Sequence, residues 1–140
     1  MFRKILVAYD GSEGSKKALR TGIGLAKRLE VDLHSISVVE GLPYFAATVG
    51  EVEEVRSNAE QFFKKITKEA WDEAALHDVN LHATVLPGHE VETIITFAKE
   101  GRFDLLIVGF VGHSNVFGRI MGGTTQNLSR LSPCTVMIVK

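Results

Sequence analysis

Glycines recur after one short apolar run, in a spacing that suits the binding of an anion. The segment Gly109–Thr125 reads GFVGHSNVFGRIMGGTT, and its candidate contacts are Gly109, Gly112, Gly122, Gly123, Thr124 and Thr125. Glycines let backbone amides approach an anion closely, and a helix beginning at the end of this segment would add free N–H groups and a favourable dipole. The threonine hydroxyls are further donors, and Arg119 is a nearby cation. The segment predicts a phosphate-binding loop.

A carboxylate follows another apolar run near the start of the chain. Asp10 comes directly after Lys4–Tyr9 and precedes Gly11 and Ser12. An Asp between a strand and a helix either contacts a ligand or caps the helix. We expect a ligand contact, because ligands of open parallel sheets bind beyond the carboxyl ends of the strands where the strand order reverses.

Five apolar runs alternate with segments of helical periodicity and must position these residues. The runs are Lys4–Tyr9, Asp32–Val39, Asn80–Leu86, Asp104–Gly109 and Thr135–Val139. Strand–helix alternation requires crossover connections and therefore a parallel sheet with helices on both faces. The sequence predicts one α/β domain over residues 1–140, Rossmann-like, with strand order 3-2-1-4-5 and the reversal between the first and fourth strands.

Two elements are predicted to make contacts beyond the sheet of their own chain. Glu51–His77 keeps a helical apolar stripe over about 40 Å, longer than a small sheet needs, so its first part is expected to overhang the sheet or contact a partner. Thr135–Val139 should form an edge strand, yet the strand itself carries no charged residue, and the first charge is Lys140 after its end. We expect a homodimer through this strand, because an unprotected apolar edge tends to pair. Cover by helices or a loop is the alternative.

The composition argues against several classes of partner. Sixteen basic residues against 17 acidic ones give a net charge of −1, so neither nucleic acid nor an anionic membrane is expected as a partner. No run approaches the roughly 20 apolar residues that span a bilayer. The lone Cys134 fits a reducing compartment, and the expected location is the cytoplasm.

Other residues that could suggest chemistry are expected to have structural roles. Gly22 and Gly24 lie inside a predicted helix, where small residues allow close packing on the sheet, and neither a P-loop nor a Gly-x-Ser-x-Gly elbow is present. The histidines show no metal-ligand spacing. Surface or strand-edge positions are expected for three of them, and the other two are candidates for the cleft: His34, His77 and His82, then His89 and His113.

Three motifs together resemble the nucleotide-binding branch of the universal stress protein family. Gly109, two residues, Gly112, nine residues and Gly122 match that branch's glycine spacing after the fourth strand. Ile5–Ser12 (ILVAYDGS) matches its first strand and Asp, and Leu131–Val139 (LSPCTVMIV) matches its closing segment. The resemblance covers essentially the whole chain and implies the family's adenine nucleotide alpha hydrolase-like fold.

The resemblance also implies a ligand and a set of contacts. The ligand would be an adenine nucleotide, ATP or AMP, with Mg²⁺ as a candidate companion. Asp10 would face the ribose or the metal ion, the backbone near Val38 and Val39 would meet adenine, and Gly109 would approach the ribose. The phosphate contacts would be Gly112, Gly122 and Gly123, with Thr124 and Thr125 beside them.

One position departs from the family pattern. Ser or Thr should follow Gly122, and Gly123 stands there instead. A single neutral hydrogen bond contributes about 1 kcal/mol, so the loss of one hydroxyl weakens the phosphate contact without removing the site. Three functions stay open: a regulatory nucleotide-binding protein of the stress response, a slow ATPase, and a nucleotide-free dimeric interaction module. The first is preferred, because no base or loop lysine is evident for phosphoryl transfer.

Overall fold

Five strands alternate with four helices in the part of the chain that the structure describes, a computed structural model covering residues 1–41, 48–111 and 121–140. The elements are β1 (Ile5–Ala8), α1 (Glu13–Leu29), β2 (Leu33–Val39), α2 (Val49–Ala75), β3 (Leu81–Pro87), α3 (Glu90–Glu100), β4 (Leu105–Gly109), α4 (Gly123–Leu131) and β5 (Thr135–Val139). The predicted alternation of strands and helices is confirmed.

The strands form one parallel sheet with the order β3-β2-β1-β4-β5, as predicted. Ile5 is in register with Leu33 on one side and with Leu105 on the other. The chain therefore reverses its direction of winding between β1 and β4. This reversal leaves a crevice beyond the carboxyl ends of these two strands.

Alternate residues of the central strands supply two separate cores. Ile5 and Val7 of β1 pack with residues of α1 and α2, whereas Leu6 packs with residues of α3 and α4. All three side chains are fully buried. Helices therefore cover both faces of the sheet, which explains why β1 and β4 are apolar along their length.

Helix α2 extends well beyond the core that it helps to build. It starts and ends two residues earlier than predicted, at Val49 and Ala75, and a capping box between Thr48 and Glu51 fixes its first turn. Its buried residues, Ile66, Ala70 and Ala74, all lie in the second half. Val49 is 77% exposed, so the first half overhangs the sheet as expected.

Gly22 and Gly24, in the middle of α1, have different environments. A Cβ atom on Gly22 would lie 2.8 Å from Cγ2 of Val7, so this glycine lets the helix pack closely on the sheet, as predicted. A Cβ atom on Gly24 would meet nothing within 4 Å. The expectation of close packing is therefore confirmed for Gly22 and wrong for Gly24.

Candidate functional site

A cavity of about 210 Å³ opens beyond the carboxyl ends of β1 and β4, at the reversal of strand order. Its inner wall is apolar and combines residues of the sheet with one residue each from α3 and α4: Ala8, Ile36, Val38, Val108, Ile94 and Leu128. The rest of the lining consists mainly of polar side chains and glycines. An apolar wall with a few convergent polar groups is typical of a small-molecule site.

Asp10 lines this cavity and shapes the turn between β1 and α1. Its Oδ1 accepts a hydrogen bond from the amide of Ser12 at 2.9 Å. Gly11 has φ +80°, a left-handed conformation that glycine adopts without strain. The N-cap of α1 is Ser12, whose hydroxyl accepts from the amide of Ser15 at 3.2 Å. The alternative reading of Asp10 as the helix cap is therefore wrong.

The end of β4 is tied to the start of α4. The hydroxyl of Thr125 donates to the carbonyl of Gly109 at 2.6 Å, and the amide of Gly122 donates to the carbonyl of Phe110 at 3.0 Å. Gly122 is the N-cap of α4 and, being glycine, offers no side chain to cap this end. The first-turn amides of α4 lie at the edge of the cavity, and no capping side chain is seen on them among residues 1–41, 48–111 and 121–140.

Gly109 has a packing reason to be glycine. A Cβ atom there would lie 2.6 Å from the carbonyl carbon of Gly14, because the first turn of α1 passes directly against the end of β4. Gly109 also lines the cavity. Its missing side chain is thus explained by the approach of α1, whether or not a ligand contacts its backbone.

Gly123, by contrast, has free space around it. A Cβ atom at this position would meet nothing within 4 Å. Gly123 and Thr124 both line the cavity at the start of α4. The absence of the family's Ser or Thr at this position is therefore not imposed by packing.

Val38 and Val39 face different cavities. Val38 lines the cavity at the strand reversal, whereas Val39 lines a second cavity of about 480 Å³ between α2 and β3. The carbonyl of Val39 also accepts a hydrogen bond from the amide of Gly88 at 3.1 Å. Of the two predicted adenine contacts, only Val38 belongs to the first cavity.

Three predicted residues lie outside the described part of the chain: Gly112, His113 and Arg119. The described members of the predicted site, apart from Val39, all line the first cavity: Asp10, Val38, Gly109, Gly122, Gly123, Thr124 and Thr125. His89, the other histidine considered for the cleft, is the N-cap residue of α3 and is not among the residues that line it.

Two histidines meet at the opposite end of the sheet. His34 and His82 are paired across β2 and β3, and their rings stack with centroids 4.7 Å apart. Nε2 of His82 lies 3.0 Å from Oδ2 of Asp32, and this hydrogen bond is the main cause that lowers the pKa of Asp32. Burial lowers the pKa of His34, and the charges of His82 and Lys4 lower it further. These histidines take no part in the cavity.

Glu90 is a cavity residue that the sequence did not reveal. It is the first residue of α3, and its Oε2 accepts a hydrogen bond from the hydroxyl of Thr124 at 3.4 Å. An acidic residue in the first turn of a helix is an ordinary stabilising feature. Glu92 has the same feature without lining the cavity, so the sequence pattern does not single out Glu90, and it is the packing of α3 beside α4 that brings this carboxylate to the cavity.

In residues 1–41, 48–111 and 121–140, no group of three or more His, Cys, Asp or Glu side chains is arranged to hold a metal ion. No helix in the same ranges has the length and apolarity needed to cross a bilayer.

The chain is similar to known proteins over its whole length. The family model described as the universal stress protein family matches residues 1–140. A curated relative, universal stress protein YxiE of Bacillus subtilis, is 31% identical over 150 residues, and the match covers 100% of both chains.

Three solved structures share the fold. Universal stress protein UspA from Lactobacillus plantarum has a TM-score of 0.87 at 22% identity, with 99% of this chain and 98% of that chain covered. A universal stress protein in complex with cAMP has a TM-score of 0.71 at 26% identity, with 99% and 97% covered. A family protein from Arabidopsis thaliana with AMP bound has a TM-score of 0.70 at 17% identity, with 99% and 91% covered.

The family match and the parallel sheet agree with the motifs that the sequence carries. The family model spans every residue, and the strand order is the one expected from those motifs. The chain belongs to the universal stress protein family.

Proposed function

We propose that this protein binds an adenine nucleotide, ATP or AMP, in the cavity at the strand reversal and acts as a regulatory binding protein of the stress response. One observation carries the proposal. The cavity brings together the Asp10 carboxylate, the apolar residue Val38 and the start of α4, whose N-cap residue Gly122 has no side chain. These are an acceptor for ribose hydroxyls, a surface for a base and a set of amide donors for phosphate.

Each part of the nucleotide has a matching part of the cavity. Adenine would lie against the apolar wall that includes Ile36 and Val38. Asp10 would accept hydrogen bonds from the ribose or contact a phosphate-bound Mg²⁺, since carboxylate oxygens are favoured Mg²⁺ ligands. The phosphate would meet the amides of Gly123 and Thr124, where the helix dipole favours negative charge.

The solved relatives support the class of ligand. One of the universal stress proteins named above was solved with cAMP and another with AMP. Both ligands are adenine nucleotides with one phosphate group. The relative with cAMP is 26% identical to this chain, and nearly all of both chains is covered.

The test is to identify the ligand that the protein carries and then to measure binding. Mass spectrometry of material released from freshly purified protein should detect an adenine nucleotide, and added nucleotide should raise the melting temperature. If no nucleotide is released and none shifts the melt, the nucleotide-free interaction module is the better description. Phosphate release from ATP that Asp10→Ala abolishes would instead favour the ATPase.

A charge-neutral variant separates ligand binding from folding. Asp10→Asn keeps an oxygen that can accept from the Ser12 amide, so the turn should persist. The variant should nevertheless bind nucleotide more weakly, by about tenfold, as expected for loss of a charged hydrogen-bond acceptor. Asp78→Asn is the matched control, because Asp78 is exposed and does not line the cavity. Equal nucleotide affinity of the two variants would show that the Asp10 carboxylate does not contact the nucleotide.

We further propose that the protein is a homodimer through β5. This strand is an edge of the sheet, and its residues Val136–Val139 are only partly buried. Met137→Lys should give monomers in sedimentation experiments, because a lysine on an edge strand opposes pairing. Val85→Lys places the same charge on the opposite edge strand and should leave the dimer intact. A wild-type protein that sediments as a monomer would contradict this proposal.

A further inference from the structure

The cavity of about 480 Å³ between α2 and the edge strand β3 is more than twice as large as the cavity at the strand reversal. Small-molecule sites in proteins usually have volumes of about 300–1,000 Å³. Alternate residues of a strand share one face, and three such residues of β3 form one wall: Ala83, Val85 and Pro87. The cavity therefore has the size and the concave shape of a site for a small molecule.

The opposite wall is formed by α2 and contains two rows of residues at intervals of four. The aromatic row is Phe63, Thr67 and Trp71, and the charged row is Arg56, Glu60 and Lys64. Residues four apart on a helix are neighbours on its surface, so each row runs along the cavity. One side of α2 thus presents aromatic rings to the cavity with charged groups beside them.

The apolar lining of this cavity is only partly covered by the rest of the chain. Trp71 is 50% exposed and Val85 is 38% exposed, although both side chains are large and apolar. Trp71 lies about 35 Å from the start of α2 along the helix, at 1.5 Å per residue, so this end of the cavity is remote from that start. Exposed apolar residues that cluster in a concavity are typical of a binding site.

The charged row has an excess of positive charge. Arg56 and Lys64 are cations, and Glu60 lies between them. None of the three forms an ion pair within residues 1–41, 48–111 and 121–140. All three are exposed, so their charged ends are in water at the mouth of an apolar cavity. The excess is complementary to one negative charge on a ligand whose body is apolar.

We propose that the cavity between α2 and β3 binds a small amphipathic carboxylate. Its apolar body lies against Phe63 and Trp71, and its carboxylate lies at the mouth beside Lys64 or Arg56. The concave shape suits a small molecule better than the surface of a second protein. This site is separate from the proposed nucleotide site and does not depend on nucleotide binding.

Trp71 is the single tryptophan of the chain and therefore reports directly on this cavity. The test titrates the full-length protein with decanoate, decanol and decyltrimethylammonium below their micelle concentrations, at constant ionic strength. Decanoate should shift the emission of Trp71 to shorter wavelength in a saturable manner, because the ligand removes the indole from water. Decanoate should bind about fivefold more tightly than decyltrimethylammonium, because the excess charge attracts the first and repels the second.

Charge-neutral variants of the charged row should change decanoate affinity in opposite directions. Lys64→Gln should weaken decanoate binding about threefold, and Glu60→Gln should strengthen it about threefold, as expected for exposed charge pairs. Lys65→Gln is the matched control, because Lys65 is exposed on the same helix and does not line the cavity. Decanol affinity should be the same in all three variants as in the wild type, since decanol carries no charge.

Ala83→Leu tests the position of the apolar body. The larger side chain would occupy part of the cavity and should weaken the binding of decanoate and decanol alike. Thr84→Leu is the control, because the neighbouring residue of a strand points to the opposite face, and Thr84 does not line the cavity. Equal affinities in these two variants would show that the ligand binds elsewhere and would overturn the proposal.

Three other results would overturn it. The first is the absence of a saturable change in Trp71 emission with decanoate. The second is an equal effect of Lys64→Gln and Lys65→Gln on decanoate affinity, which would remove the role of the charged row. The third is a Trp71 emission that shifts with protein concentration in the absence of ligand, which would mean that a second copy of the chain fills the cavity. None of these results would alter the proposal of nucleotide binding.

Discussion

The hydroxyl of Thr125 donates a 2.6 Å hydrogen bond to the carbonyl of Gly109, which joins the first turn of α4 to the end of β4. Thr125 is only 7% exposed. This bond fixes the start of α4 relative to the sheet, and with it the amides that face the cavity. It also commits a hydroxyl that the sequence had suggested as a phosphate donor.

Thr125→Val should destabilise the protein by about 1–3 kcal/mol, because the Gly109 carbonyl loses its donor while the shape of the side chain is kept. Thr125→Ser retains the hydroxyl and should cost less. Urea denaturation at constant pH measures the difference. Equal unfolding free energies for the two variants would mean that this hydrogen bond contributes nothing measurable.

Gly123→Ser should tighten nucleotide binding a few-fold, corresponding to about 1 kcal/mol for one added hydrogen bond. The substitution restores the residue type that the family pattern has at this position, and the space around Gly123 is open. Calorimetry with AMP measures the gain. Gly50→Ser, also in open space but in the first turn of α2, is the control and should bind as the wild type does. A matched affinity for both variants would contradict the prediction.

Gly22 and Gly24 of α1 should respond to alanine with opposite signs. Gly22→Ala should destabilise by about 1–3 kcal/mol, because its Cβ would press on the side chain of Val7 in a close-packed core. Gly24→Ala should stabilise by about 0.5–1 kcal/mol, because it gains helix propensity in open space. Thermal melts of both variants test this prediction. A stabilised Gly22→Ala would contradict it and would mean that the Val7 side chain can move to accommodate the added methyl group.

Acid should weaken the protein through His34. Its pKa is lowered from the ordinary value of 6.5, mainly by burial. His34 therefore binds a proton more readily in the unfolded chain than in the folded chain. Below about pH 6.5 the unfolded state therefore binds more protons, and stability falls as pH falls. His34→Gln should reduce the loss in urea midpoint between about pH 7.5 and about pH 5.5. His77→Gln, at an exposed position, should show the same fall in urea midpoint as the wild type.

Much of the fold could be predicted because the pattern of apolar residues along a strand reflects which of its faces are buried. The uninterrupted apolar run of β4 predicts a central strand, and the alternation in β3 predicts an edge, as observed. The bounds of α2 were displaced by two residues at each end. Thr48 and Glu51 fit the Thr-x-x-Glu pattern of a capping box, a sequence signal that the prediction overlooked and that starts the helix earlier.

The site was less predictable, for two physical reasons. Neighbouring residues of a strand point to opposite faces, so Val38 and Val39 could not both face one cavity with their side chains. Glu90 reaches the cavity through the packing of α3 beside α4, which no local pattern encodes. Asp10, by contrast, follows a buried strand directly, and its position was predictable from the strand order alone.

The opposite orientations of Val38 and Val39 have a consequence for the whole molecule. Consecutive residues of β2 form walls of two different cavities, so only one peptide unit separates the space at the strand reversal from the space between α2 and β3. A displacement of this peptide would reshape both spaces together. Any free-energy coupling between occupants of the two spaces would necessarily be equal in both directions, as thermodynamic linkage requires.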